Sequence, residues 1–218
     1  KPNYLESSKG LENVLVFSSN NEIFVFDNGK SVKVASRNNS VRALCSHNGK
    51  LYDGSYNKIF ETLSGKKVAS RDNWVLALCS HDGKLYDGGI YNKVFETLTN
   101  KKVASRDNGV RALCSHNGKL YDGGSYRKVF ETLSGEEVAL RNHWVLALCS
   151  HDGKLYDGGS YRKVFETLTN KEVASRNNSV MALCSHPRDY FVERGILKQN
   201  DRWKFKTNNA KKMLRFYL

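Results

Sequence analysis

Along Val145–Asn177 the apolar positions fall in short runs bounded by turn residues rather than in helical steps. The runs are VLALCSH, KLYDGGS, KVFETL and KEVASR. Asp152-Gly153 separates the first two and Thr169-Asn170 the last two. Asp-Gly or Asn-Gly between β-formers is the strongest short-range hairpin signal, because both central residues of such a turn need positive φ. The pattern predicts a four-stranded antiparallel meander.

The same pattern recurs. Aligned on its first valine it starts at Val41, Val75, Val110, Val145 and Val180, in steps of 34, 35, 35 and 35 residues. A fixed period of this length marks a repeat architecture. At the N-terminal end, NVLVFSS, EIFVFD and SVKVASR between Leu11 and Arg37 match the last three-quarters of a unit. The missing quarter, VMALCSH, stands at Val180–His186, and VASRNNSV leads into the next unit at both ends of the array. Each small sheet has apolar residues on both faces and cannot stand alone. Stacking the sheets radially removes several large side chains from water, each worth roughly 1.5–3 kcal/mol when fully buried. The expectation is an all-β, five-bladed β-propeller over residues 11–186, built of four-stranded blades of about 35 residues. The ring closes by pairing the inner strand 180–186 with the N-terminal strands. Residues 1–10 form an N-terminal arm and 187–218 a short basic α/β tail. An open β-solenoid is the alternative.

The run VxALCSHDGKLYDGGSYxKVFETLTNKxV resembles the blade pattern of WD-repeat and related β-propellers, in which an inner strand meets an x-D-G-K turn and the third strand ends before a T-G-K type turn. The likeness covers residues 11–186. Phe165-Glu166 occupies the place of the family's Trp-Asp dipeptide, the Gly-His pair is missing, and Asn142-His143-Trp144 is the nearest remnant. The resemblance implies a binding platform whose first strands line a central channel.

Composition narrows the picture. The 35 Lys plus Arg exceed the 22 Asp plus Glu, and a net charge of +13 favours acidic partners such as nucleic acid, although such a charge also serves solubility. No apolar run approaches the roughly 18 residues of a membrane helix, and no signal peptide is visible. An intracellular monomer with no membrane contact is expected. The five cysteines, Cys45, Cys79, Cys114, Cys149 and Cys184, occupy one place in every LCSH copy and read as reduced, buried, small apolar residues.

Differences between copies point to one rim. The residue before the first strand varies as Ser40, Trp74, Gly109, Trp144 and Ser179, and the residue after the valine as Arg42, Leu76, Arg111, Leu146 and Met181. The second-to-third-strand turn varies as Asn57, Asn92, Arg127 and Arg162. In a meander these places share one end of the ring, opposite the invariant His-Asp/Asn-Gly-Lys turns. Arg42, Trp74, Arg111, Arg127, His143, Trp144 and Arg162 are the candidate partner-binding residues. Arginine offers forked donors and tryptophan a stacking face to an acidic or phosphate-bearing partner. The bland alternative is that the tryptophans cap joints and the arginines are solvated.

Other chemistry is sparse. Cys and His two apart in CSH share a strand face and suit a metal, but repetition in every unit argues against a single converging site. Asp53, Asp87, Asp122 and Asp157, with Arg71, Arg106, Arg141 and Arg176, are expected to form polar joints. No inner strand carries a carboxylate, and no nucleophile elbow, phosphate loop or HExxH is present, so no catalytic residue, metal or cofactor is expected.

From Pro187 to Leu218 nine Lys or Arg face three acidic residues. RDYFVERGIL has helical apolar spacing ending at Gly195, LKQNDRWKFKT suggests a hairpin at Asn200-Asp201, and Asn209 stands near a second helix start. This order resembles the second half of a winged-helix domain. The resemblance implies a wing of Lys198, Arg202, Trp203, Lys204 and Lys206 and a helix bearing Lys211, Lys212 and Arg215 against phosphates. Alternatively the tail packs through Phe191, Ile196, Leu197, Met213, Leu214 and Phe216. The expected function is a non-catalytic platform or scaffold for an acidic protein or nucleoprotein partner. The alternatives are a DNA- or RNA-binding protein using the tail and a lectin-like propeller using repeated Tyr and Asp.

Overall fold

The computed structural model describes residues 15–27 and 30–183; the arm and the basic tail, with its eight candidate nucleic-acid-binding residues, lie outside them. Five antiparallel sheets are built from nineteen strands among the described residues. The first sheet holds β1 (Leu15–Ser19), β2 (Glu22–Asp27) and β3 (Lys30–Ser36). The second holds β4 (Val41–His47), β5 (Lys50–Ser55), β6 (Lys58–Glu61) and β7 (Lys67–Ser70). The third holds β8 (Val75–His81), β9 (Lys84–Gly89), β10 (Lys93–Glu96) and β11 (Lys101–Ser105). The fourth holds β12 (Val110–His116), β13 (Lys119–Gly124), β14 (Lys128–Glu131) and β15 (Glu137–Leu140), and the fifth β16 (Val145–His151), β17 (Lys154–Gly159), β18 (Lys163–Glu166) and β19 (Lys171–Ser175). Strands follow sequence order within every sheet, as the meander reading requires.

The turns form for the expected reason. Asn48, Asp82, Asn117 and Asp152 take φ of 46–47°, and the glycine after each takes 67–72°, the paired left-handed conformation of a two-residue hairpin. The single 34-residue step also has a location. Asp53 lies five positions before Lys58, whereas Asp87 lies six before Lys93, so the second-to-third-strand turn of the second sheet is one residue short.

The core sits between sheets rather than within them. One cluster joins Ala43, Tyr52 and Ile59 of the second sheet to Val75, Leu78 and Leu85 of the third, and another joins Ala112, Tyr121 and Val129 of the fourth to Val145, Leu148 and Leu155 of the fifth. Glycine makes these joints possible. A Cβ on Gly54, Gly88, Gly123 or Gly158 would lie 2.5–2.7 Å from a Cγ1 of Val75, Val110, Val145 or Val180 in the next unit. Val75, Val110 and Val145 are fully buried there.

The first residues of all five repeats of the VxALCSH segment meet at a common channel. Its lining takes Arg42–Leu44, Leu76–Leu78, Arg111–Leu113, Leu146–Leu148 and Met181–Leu183, around a cavity of about 220 Å³. The arrangement is a propeller-like repeat. Val180 repeats the joint of the other units, its N–H donating to Gly159 O at 3.0 Å. Val180–Leu183 nevertheless belong to no strand, and the first sheet has three strands among the described residues. The rest of the expected closing strand, 184–186, lies outside the described residues. No helix among the described residues is long and apolar enough to cross a membrane.

Candidate binding rim

Which arginines are available to a partner depends on a polar joint that recurs between sheets. Arg71, in the link after β7, donates from Nε and Nη2 to both oxygens of Asp87 at 2.7 and 2.5 Å. Asp87 also accepts from Tyr91 Oη at 2.6 Å and Thr97 Oγ1 at 2.8 Å. The guanidinium lies 4.3 Å above the Phe95 ring. The joint repeats as Arg106 with Asp122 and Arg141 with Asp157, and Arg37 forms it with Asp53. Where the last turn is Thr-Asn, Asn100 or Asn170 adds an acceptor 2.7 Å from Arg71 or Arg141. Burial and the neighbouring aspartate hold the phenols of Tyr91, Tyr126 and Tyr161 far above the ordinary tyrosine range. The shortened turn changes the second sheet, where Tyr56 stands edge-on to Trp74 at 5.0 Å instead.

Arg176 departs from the expected series. It is exposed and makes no ion pair among the described residues. The register of β1 on β2 places Phe17 opposite Phe24 just as Asp53 stands opposite Phe60, so a ring takes the carboxylate's place.

The channel mouth is built by a bulge. In each full unit the pairing register shifts between the first valine and the alanine two residues on, leaving Arg42, Leu76, Arg111 and Leu146 as the extra residues. A bulge of this kind re-aims a side chain. Arg42 lies 4.6 Å from the Trp74 ring and Arg111 4.7 Å from the Trp144 ring. Arg111 Nε also donates to Ser125 Oγ at 2.7 Å. Burial, and secondarily the charge of Arg42, lower the pKa of Arg111, so the two guanidinium groups sense each other. Neither makes an ion pair among the described residues.

Charge on the opposite end is organised differently. Lys50, Lys84, Lys119 and Lys154 of the invariant turns each pair with a glutamate, at 2.7–3.1 Å. His47, His81 and His116 link through Nδ1 to the hydroxyl of Ser80, Ser115 and Ser150 in the next sheet at 2.8–2.9 Å. No group of three or more His, Cys, Asp or Glu among the described residues is placed to hold a metal. Of the described cysteines Cys79 is buried, whereas Cys45, Cys114 and Cys149 are only partly so.

The structure thus brings Arg42 with Trp74 and Arg111 with Trp144. Arg127 and Arg162 are exposed, at left-handed φ of 64° and 62°. His143 lines a different cavity, of about 420 Å³, beside Arg141, Tyr161 and Phe165. Ser125 and Asn92 also reach the Arg111 site; the first is a turn serine shared by several copies and carried no distinguishing signal in the sequence.

No protein-family model matches the chain, and no curated protein matches it. Among solved structures it is similar to the computationally designed Ika8 protein, with a TM-score of 0.56 and 19% identity over 81% of this chain and 63% of that one. It is also similar to a chain in the crystal structure of the Mitotic Checkpoint Complex, with a TM-score of 0.60 and 18% identity over 78% and 65%. The chain spans less than two thirds of each of those chains, and at these identities the likeness concerns the fold alone.

Proposed function

We propose that this protein is a non-catalytic binding platform, a five-bladed ring completed by 180–186 as the inner strand of the first sheet, which takes an acidic segment of a protein or nucleoprotein partner at the channel mouth. The observation that carries this reading is the division of the arginines. Four link arginines, Arg37, Arg71, Arg106 and Arg141, are neutralised by buried aspartates, while Arg42 and Arg111 are aimed at the mouth, laid on tryptophans and left without a carboxylate among the described residues. Near-identical repeats offer several copies of one environment, which suits binding better than the unequal acid and base of an active site. Asp87, Asp122 and Asp157 bond to Tyr91, Tyr126 and Tyr161 inside the joints, which makes these groups less available for the lectin-like alternative.

The test is charge reversal. Arg42→Glu with Arg111→Glu should lower capture of partners from native extract at least tenfold, about 1.4 kcal/mol, with the melting temperature unchanged. Undiminished capture would overturn the reading. The composition of the tail favours a second reading, nucleic-acid binding. A DNA and RNA titration at two salt concentrations separates the two, since each phosphate contact adds about 0.9 to the salt slope for duplex DNA.

A further inference from the structure

Beside the Arg111–Trp144 pair the rim opens into a cavity of about 210 Å³. Its floor is Gly109, where the neighbouring lead-ins carry Trp74 and Trp144. Gly109 lines the cavity without a side chain, and a Cβ there would come within 3.3 Å of Ile90 Cα, another lining residue. Ile90 and Trp144, 41% and 46% exposed, form apolar walls, and Asn92 and Asn108 stand at its edge. The Arg111 guanidinium is held from two sides, by Ser125 Oγ on Nε and by the Trp144 face, which leaves both Nη groups for a ligand.

The surroundings of Arg42 are occupied by other contacts. Ser55 Oγ donates to Asn39 O at 2.7 Å, Ser40 Oγ to Asn20 Oδ1 at 3.0 Å, and Tyr56 covers Trp74. The two arginines are therefore unequal in their surroundings: Arg111 borders this cavity with its Nε held by Ser125, whereas Arg42, exposed at the channel, meets Ser40 where Gly109 stands and has no serine bonded to its Nε among the described residues.

We infer that the Gly109 cavity is a side-chain pocket for a single Glu or Asp of a protein partner. The inference rests on the reading of the rim given above. A guanidinium with two free Nη groups matches a planar carboxylate with paired donors. Ile90 and the indole face accept the methylenes behind it. Arg111 is the one cation among the residues that line the cavity, which suits a monoanion better than a doubly charged phosphate. Binding would also relieve the repulsion between Arg111 and Arg42.

The test uses the ¹⁵N-labelled full chain titrated with N-acetylated, C-amidated tetraglutamate, with tetraglutamine and inorganic phosphate as comparators. The signals read are Arg111 Nε–H, Trp144 Nε1–H and the Gly109 amide. Tetraglutamate should shift all three saturably, and tetraglutamine none. Gly109→Trp, which installs the residue used by two other lead-ins, should raise Kd at least tenfold while both arginines remain. A second pair is independent of that variant's folding. Arg111→Leu, the residue of Leu76 and Leu146, should lose at least tenfold, and Arg42→Leu less than twofold. Absence of any saturable shift in the wild type would overturn this inference together with the charge reading. Saturable binding that survives Gly109→Trp, or equal losses from the two leucine variants, would overturn the pocket alone. Phosphate binding as tight as tetraglutamate would overturn the carboxylate assignment.

Discussion

Replacing Asp87 by alanine removes the acceptor at the centre of the second-to-third-sheet joint, and its cost can be worked from the geometry. The Asp87 side chain is fully buried and that of Arg71 is 2% exposed. Four donors lose their partner: Arg71 Nε and Nη2, Tyr91 Oη and Thr97 Oγ1. Breaking one side of a buried ion pair costs roughly 3–5 kcal/mol, because the remaining charge stays desolvated. Arg71 keeps its bonds to Asn100 Oδ1 and Ser70 O, which places the expectation in the lower half, about 3–4 kcal/mol. For a chain of this size that lowers Tm by roughly 6–16 °C. Urea unfolding followed by far- and near-ultraviolet circular dichroism measures it, with coincidence of the two signals checking two-state behaviour. Arg71→Met combined with Asp87→Leu removes both charges and should cost less than half of the single change. A single variant within about 1 kcal/mol of wild type, or a double variant as unstable as the single, would refute the reasoning.

Two further outcomes are expected. Gly123→Ala places a Cβ 2.6 Å from Val145 Cγ1 and should cost about 1–3 kcal/mol by overpacking. Adding Val145→Ala should give a total below the sum of the two single losses, and strict additivity in denaturant melts would show that this contact is not limiting. Burial pushes the thiols of Cys45 and Cys114 up to about 11 and that of Cys79 up to about 12, from an ordinary 9.0. Because the folded values are the raised ones, the stability linked to these thiols is complete below about pH 9 and is lost as pH rises through 9 towards 11–12. Iodoacetamide at pH 8, read by mass spectrometry, should label them in the native protein about a hundredfold more slowly than in urea, and similar rates would contradict the burial argument.

Much of the architecture was legible in the sequence because its causes are local. Hairpin turns follow from Asn, Asp and Gly tolerating positive φ, and the period follows from their spacing. The three strands of the first sheet were visible because they continue the pattern of the later units. The rim was legible only as a place of variation. That Arg42 and Arg111 turn into the mouth depends on a bulge, which is a property of pairing register and has no single-residue signature. His143 and Trp144 are adjacent in sequence, yet they line different cavities.

The sequence by itself determined the strands, their turns and the number of units, since each rests on short-range geometry repeated five times. Tertiary structure alone decided which of many arginines are spent and which are free. Arg71 and Arg111 carry the same charge, but one meets an aspartate sixteen residues away across a joint and the other meets a tryptophan at the channel mouth. Electrostatic availability depends on what lies opposite in space, and for Arg71 the neighbouring sheet supplies it.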